Sequence, residues 1–283
     1  MTNAFMRIAF CAVLAGGLAA CQSQEEEVDK TIIGVVDESD LNSIMLTAAD
    51  PNDAISYFAN AVQKDETRID LQRGLGKSLT RGKRATDAVP VYQKILTMEG
   101  TSDQDRIDYA DALVRINDWS EAKKQLDLVP PTVQTFQRYR LEALVADANK
   151  EWSDADAFYK AATNLTSQPA SILNNWGYSK LTRGNFAEAE ALFADAVKND
   201  RTLFVAKNNM VLARASQKNY TLPLIPMTET EKAQLYYTLG LSAVKQGNRE
   251  TGIVLIQQAV DTHPEFFTEA QRSLDSLRGS ATN

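Results

Sequence analysis

The sequence predicts an all-α chain, a superhelix of stacked helix pairs (an α-solenoid), and three observations carry that expectation. From about Leu41 onward, apolar residues recur at helical spacing, and Gly and Pro are scarce inside the long segments. One local pattern returns at a near-constant interval. Asn117-Asp118-Trp119-Ser120-Glu121-Ala122, Lys150-Glu151-Trp152-Ser153-Asp154-Ala155 and Gly184-Asn185-Phe186-Ala187-Glu188-Ala189 each give a polar turn, an aromatic residue and a helix start with alanine three places later, and they lie 33 and 34 residues apart. Gly247-Asn248-Arg249-Glu250-Thr251-Gly252 repeats the turn with Arg for the aromatic. Finally, small residues at Gly76, Ala110, Ala143, Gly177 and Gly240 fall where the two helices of a pair would approach closest.

In chain order, the first element is an address. Residues 1–7 carry one positive charge and lead into an apolar run at 8–15, too short to span a bilayer comfortably and suited to a signal-peptide core. The run ends in Leu18-Ala19-Ala20-Cys21, which resembles a bacterial lipobox, so residues 1–20 are expected to be a lipoprotein signal peptide and Cys21 the lipidated first residue of the mature chain. An acidic residue after that cysteine usually marks inner-membrane retention. Gln22 stands there instead, and the resemblance implies an outer-membrane anchor facing the periplasm. Acylation supplies roughly 0.8 kcal/mol per buried methylene, enough for firm anchoring by several chains. Residues 21–40, acidic at Glu25-Glu26-Glu27, read as a flexible tether spanning roughly 25 Å.

The body, residues 41–278, resembles the tetratricopeptide repeat. Its best copy is 173–198, with Trp176-Gly177 on the first helix, the turn at Gly184-Asn185-Phe186, then Ala189, Phe193 and Ala196 on the second. First helices are predicted to begin near Ile69, Asp103, Phe136, Ala170, Phe204 and Ala233, after a degenerate leading copy whose second helix is 53–63. The copy starting at Phe204 is interrupted at 220–227: Leu222-Pro223-Leu224-Ile225-Pro226 cannot be helical, because proline removes donors and excludes its predecessor from the α region. Thr228 and Glu231 then form a capping box that opens the next helix. A helix at 267–278 caps the stack, and 279–283 form a disordered tail.

Composition narrows the function. With 30 Lys+Arg against 37 Asp+Glu, the net charge is −7, which gives no general attraction to nucleic acid. One histidine, His263, and two cysteines, Cys11 and Cys21, argue against zinc sites, Ser-His-Asp triads and disulfide frameworks. No enzyme activity, cofactor, metal or small-molecule substrate is expected. Gly76-Lys77-Ser78 looks like the tail of a phosphate-binding loop, but Leu71 stands where that motif needs glycine. Ser242 and Lys245 have a hydrolase-like spacing within a repeat helix, without a nucleophile turn. His263 reads as a helix C-terminal cap. Asp154 and Asp156 read as solvated turn residues, and Trp119, Trp152, Trp176 and Phe186 as inter-helix packing.

The asparagine pairs are the candidate partner-binding groove. Asn174-Asn175 and Asn208-Asn209 stand 34 residues apart, and the first of each pair, with Tyr178 and Leu212 one turn on, falls on the helix face that lines the concave groove in tetratricopeptide stacks. Stacked amides there would hold an extended partner backbone, or would bond only within the stack; the residues leave both readings open.

Asn174-Asn175-Trp176-Gly177, Arg183-Gly184-Asn185-Phe186, 203–209, Ala213-Arg214, 220–226 and 231–235 together resemble the TadD family of Flp-pilus (tight-adherence) assembly lipoproteins, the proline interruption being the most specific part. That resemblance implies a lipid-anchored scaffold that acts, pilotin-like, on the outer-membrane secretin of the Tad system. The alternative is another periplasmic tetratricopeptide lipoprotein, serving β-barrel assembly or the regulation of peptidoglycan synthesis.

Overall fold

The structure is a computed structural model and describes residues 38–279. The expected signal peptide, the lipidation site Cys21, the tether up to residue 37 and the tail from residue 280 lie outside the described residues. Among the described residues there are fourteen α-helices and no strand. They are α1 (Glu38–Thr47), α2 (Pro51–Lys64), α3 (Ile69–Arg81), α4 (Ala85–Ile95), α5 (Asp103–Arg115), α6 (Trp119–Asp127), α7 (Phe136–Ala148), α8 (Trp152–Asn164), α9 (Ala170–Thr182), α10 (Phe186–Asn199), α11 (Phe204–Ser216), α12 (Glu229–Lys245), α13 (Arg249–Thr262) and α14 (Thr268–Gly279). Residues from Ile44 onward form one compact unit; of the other, which ends at Ser43, only 38–43 are described.

Two boundaries differ from those read in the sequence. The last residues assigned to the tether, 38–40, are the first turn of α1, where an acidic residue such as Asp40 suits the helix dipole. Helix α12 begins at Glu229, four residues before Ala233, because the capping box closes there: the Thr228 N–H donates to Glu231 Oε2 (2.8 Å) and the Glu231 N–H to Thr228 Oγ1 (3.2 Å). The other first helices, α3, α5, α7, α9 and α11, begin at Ile69, Asp103, Phe136, Ala170 and Phe204.

The repeat is punctuated by its turn. Lys83, Asn117, Lys150, Gly184, Lys218 and Gly247 all have φ between 61° and 84°. One residue later, an N–H donates back across the helix end: Arg84 to Leu79, Asp118 to Leu113, Glu151 to Ala146, Asn185 to Lys180, Asn219 to Arg214 and Asn248 to Ala243, all at 2.8–3.0 Å. This is the Schellman closure, which satisfies a terminal carbonyl and reverses the chain abruptly. Four of the six positions hold Lys or Asn rather than Gly, so the turn survives without the residue that adopts it most cheaply.

Behind every turn but that at Lys218 the second helix folds back on the first. The pairs touch closely at Gly177, where an added Cβ would lie 2.7 Å from Phe193 Cε1, and at Gly240, where it would lie 2.6 Å from Ile256 Cγ1. The core runs along the stack as successive clusters. Tyr92, Ile107, Leu113 and Leu141 pack in the first; Tyr159 and Ile172 follow, then Phe193 and Met210, then Leu235 and Leu239, and last Ile256 and Leu274. Neighbour-only packing of this kind is what a solenoid requires.

After α11 the turn at Lys218 forms as elsewhere, but no second helix follows. The chain crosses instead, with Leu222 packed in the cluster of α11 and α12 and Ile225 in that of α10 and α11. Arg214 fixes the crossing by donating to the Thr221 carbonyl (3.0 Å) and hydroxyl (2.8 Å) and to Glu190 (2.5 Å). The segment is therefore a bridge between two cores, with Leu224 fully exposed on its outer side.

A groove of amides and aromatic rings

First helices α7, α9 and α11, with the starts of α6 and α8, enclose a recess of about 540 Å³. Its rim is aromatic and apolar: Trp152, Tyr178 and Val205 are 38%, 54% and 48% exposed, and Trp119 closes one side. Its floor is amide. The Asn209 amide donates to Asn174 Oδ1 (3.0 Å), and Asn175 stands beside them. Each amide group carries two donors and an acceptor. One bond between Asn174 and Asn209 leaves the NH2 of Asn174, the carbonyl oxygen of Asn209 and the whole Asn175 amide without another protein hydrogen bond. Donors and acceptors in one row, flanked by rings, match the needs of an extended backbone with apolar side chains.

The four groove residues named from the sequence divide. Asn174 and Tyr178 line the recess. Asn208 does not: it accepts from the Thr238 hydroxyl (2.8 Å) and belongs to the contact between α11 and α12. Leu212 is half-buried on α11 and also lies outside the lining. The second asparagine of the pair, Asn209, takes the place read for the first.

The acidic groups behind the rim are not solvated turn residues. Asp156 lies within α8 and accepts from Trp176 Nε1 (2.7 Å), Lys180 Nζ (3.0 Å) and Arg183 Nη2 (2.6 Å). Burial alone would raise its carboxyl, but Arg183, Trp176 and Lys180 overcome that and hold it below the usual range. Arg183 in turn lies 5.3 Å over the Trp152 ring, so Asp156 fixes the cation that positions the rim. Asp147, on the floor, accepts from the Tyr159 hydroxyl (2.7 Å) and Ser179 Oγ (2.5 Å). Burial and then the Asp147 charge push that tyrosine well up. The only charged side chain lining the recess, Asp147, is thus held by two hydroxyls within the protein. Trp152 alone among the aromatic series faces outward; Trp176 stacks on Tyr159 (6.2 Å, 17°).

A second recess, about 370 Å³, lies on α3, α5 and α7. There the acids are buried and the cations face out. Asp108, 8% exposed in its side chain, meets Lys77 Nζ at 3.3 Å and accepts from Gln104 (2.8 Å) and Gln137 (3.0 Å). Asp111 pairs with Arg115 (2.9 Å) and Arg140 (2.6 Å). Lys77, of the phosphate-loop look-alike, is thus committed to a carboxylate on a helix, and Gly76 makes room for Tyr92.

Other sequence candidates are absorbed by the fold. Ser242 donates to the Thr238 carbonyl within α12 (2.8 Å), and His263 ends α13, its ring 5.0 Å from Phe267. Among the described residues no group of three or more His, Cys, Asp and Glu side chains is placed to hold a metal ion. No helix among them is long and apolar enough to cross a membrane.

Comparison with known proteins agrees with this architecture. Residues 79–148 match the family described as tetratricopeptide repeat. No curated protein matches the sequence. Among solved structures, a chain of the APC/C hetero-tetramer Cut9–Hcn1 is similar at 13% identity and a TM-score of 0.58, over 84% of this chain and 48% of that one, so the protein spans about half its length. A tetratricopeptide repeat protein from Parabacteroides merdae is similar at 12% identity and TM-score 0.54, over 84% of this chain and 96% of that one. The C-terminal part of a repeat-containing protein from Cytophaga hutchinsonii gives 10%, 0.54, 83% and 98% in the same order. At such identities the likeness is one of fold: the chain is an all-α superhelix of tetratricopeptide type, with the repeat itself matched over 79–148.

Proposed function

We propose that the recess on α7, α9 and α11 holds an extended segment of a protein partner, and that the protein is a scaffold that binds without turnover. One observation carries the reading: a row of three amides, with one hydrogen bond between Asn209 and Asn174 as their own, lies between exposed aromatic rings. The proposal extends to place. The lipobox at Leu18-Ala19-Ala20-Cys21 supports a lipid anchor at the outer membrane. The proline crossing supports kinship with Flp-pilus assembly lipoproteins, and the partner is then the Tad secretin, held during its delivery or assembly. A membrane anchor joined to a binding groove raises the effective concentration of a captured chain near the bilayer.

Deleting the gene should abolish secretin multimers or mislocalise them, and Cys21→Ala should release the protein from the outer-membrane fraction with reduced pilus assembly. Normal pili in the deletion strain would refute the assembly role. Trp152→Ala with Tyr178→Ala should weaken capture of the partner while leaving thermal stability nearly unchanged, since both rings are exposed.

A further inference from the structure

The two recesses differ in charge, and the difference says what the partner segment looks like. The recess on α3, α5 and α7 is lined by Lys77, Arg81 and Arg115 against Asp108 and Asp111, a net positive site in a chain of net charge −7. Exposure sharpens the sign. The Lys77 and Arg115 side chains are 43% and 47% exposed, whereas those of Asp108 and Asp111 are 8% and 11% exposed. A ligand approaching this surface therefore meets cations whose carboxylate partners sit beneath them. The recess on α7, α9 and α11 offers no cation, only amides, rings and Asp147 with its two hydroxyl partners.

Helix α7 belongs to both, giving Gln137 to one and Leu144 to the other. The way from Arg115 on α5 to Tyr178 on α9 crosses α7, and two ordinary helix packing steps, roughly 16 Å or more, are its lower bound. An extended chain needs at least about five residues for that. Resting on the groove reading above, we infer that the partner segment is bipartite: an aromatic or branched apolar anchor seated between Trp152 and Tyr178, and one or more Asp or Glu side chains at least about five positions away, seated on Arg115 and Lys77.

The test is selection of random peptides of about sixteen residues on the full chain, followed by binding of the best synthetic peptide. Selected sequences should pair an anchor with an acidic residue at that spacing. Affinity should fall about threefold to tenfold as salt is raised from about 50 to 500 mM, and by a similar factor in the Lys77→Gln, Arg115→Gln double variant. The peptide with Asp and Glu changed to Asn and Gln should bind parent and variant alike. In the variant Asp111 keeps Arg140, and Asp108 keeps Gln104 and Gln137 on Oδ1 but loses the cation at its buried Oδ2, so melting is measured beside binding. Should it not fold, salt dependence on the parent decides. Selected peptides with anchors but no acidic preference, or with a basic one, overturn the inference and leave the groove reading standing. Peptides whose binding ignores Trp152→Ala and Tyr178→Ala overturn the groove reading itself.

Discussion

The repeat built on α9 and the one built on α11 start from the same design and end differently. Each opens with a helix carrying an asparagine pair, and each closes that helix on a left-handed turn, Gly184 in one and Lys218 in the other. After Gly184 comes α10, whose Phe193 fills the space that Gly177 leaves. After Lys218 comes the crossing segment, and two apolar side chains, Leu222 and Ile225, replace a whole helix. The asparagines keep the same contact in both: Asn174 accepts from Asn209 of the next first helix, and Asn208 accepts from Thr238, the residue at the same place on α12. A tetratricopeptide stack therefore tolerates the loss of half a repeat provided the turn and the next first helix stay in place, and the contact between successive first helices carries on across the gap.

What keeps α12 in place against α11 is a buried ion pair. Lys207, 2% exposed, donates to both carboxylate oxygens of Glu231 at 2.9 Å each. Glu231→Gln should be the most damaging single change in the interrupted repeat, costing ~3–5 kcal/mol by leaving a buried ammonium unpaired; chemical denaturation measures it. In the regular repeat the buried Lys180 has two carboxylates, Asp156 (3.0 Å) and Glu188 (2.7 Å), so no single change there leaves it unpaired. Acid should reproduce the loss gradually. Burial alone would raise the Glu231 carboxyl, but Lys207 and the Thr228 N–H hold it below the ordinary glutamate value. A carboxyl lowered in the folded state stabilises fully above its unfolded value and loses that contribution as pH falls through the folded one. Stability should thus decline below about pH 4, with Asp105 and Asp156 contributing in the same sense, and Glu231→Gln should flatten that decline.

Gly177→Leu probes the regular repeat. Overpacking against Phe193 should cost ~1–3 kcal/mol and disturb the groove with it, since α9 also carries Asn174 and Tyr178. The smallest effects separate the two asparagines. Asn208→Ala should lower stability by ~0.5–1.5 kcal/mol through its lost bond to Thr238 and leave peptide capture unchanged. Asn174→Ala should weaken capture and lower stability by a similar amount, through its lost bond from the buried Asn209. Equal capture by the two variants would erase the distinction between the repeats.

The fold was legible in the sequence because its signals are local. The polar turn, the aromatic after it and the small residue at the helix contact repeat at fixed spacing, and the same turn chemistry at Asn117, Lys150 and Gly184 closes all three helices. Two prolines within five residues were enough to find the crossing. The site was legible only in outline. Spacing put Asn174 and Asn208 on one phase, and both make the same bond to the next first helix; but the recess lies on α7, α9 and α11, so Asn208, on the side toward α12, does not line it. Asp156 was misread because its partners Trp176, Lys180 and Arg183 lie 20 to 27 positions away. The one available signal was the spacing of those three along a single face of α9 and its end. Glu231 was found as a cap, while its deeper tie to Lys207 crosses 24 positions of sequence.

The most direct measurement places a photocrosslinking amino acid at position 178, on the groove rim, and at 224, on the outer side of the crossing, in living cells. Capture of the partner by the groove requires a discrete adduct with the outer-membrane secretin from position 178 and none from 224. Adducts from 224 alone, or the absence of any secretin adduct from 178, would contradict it.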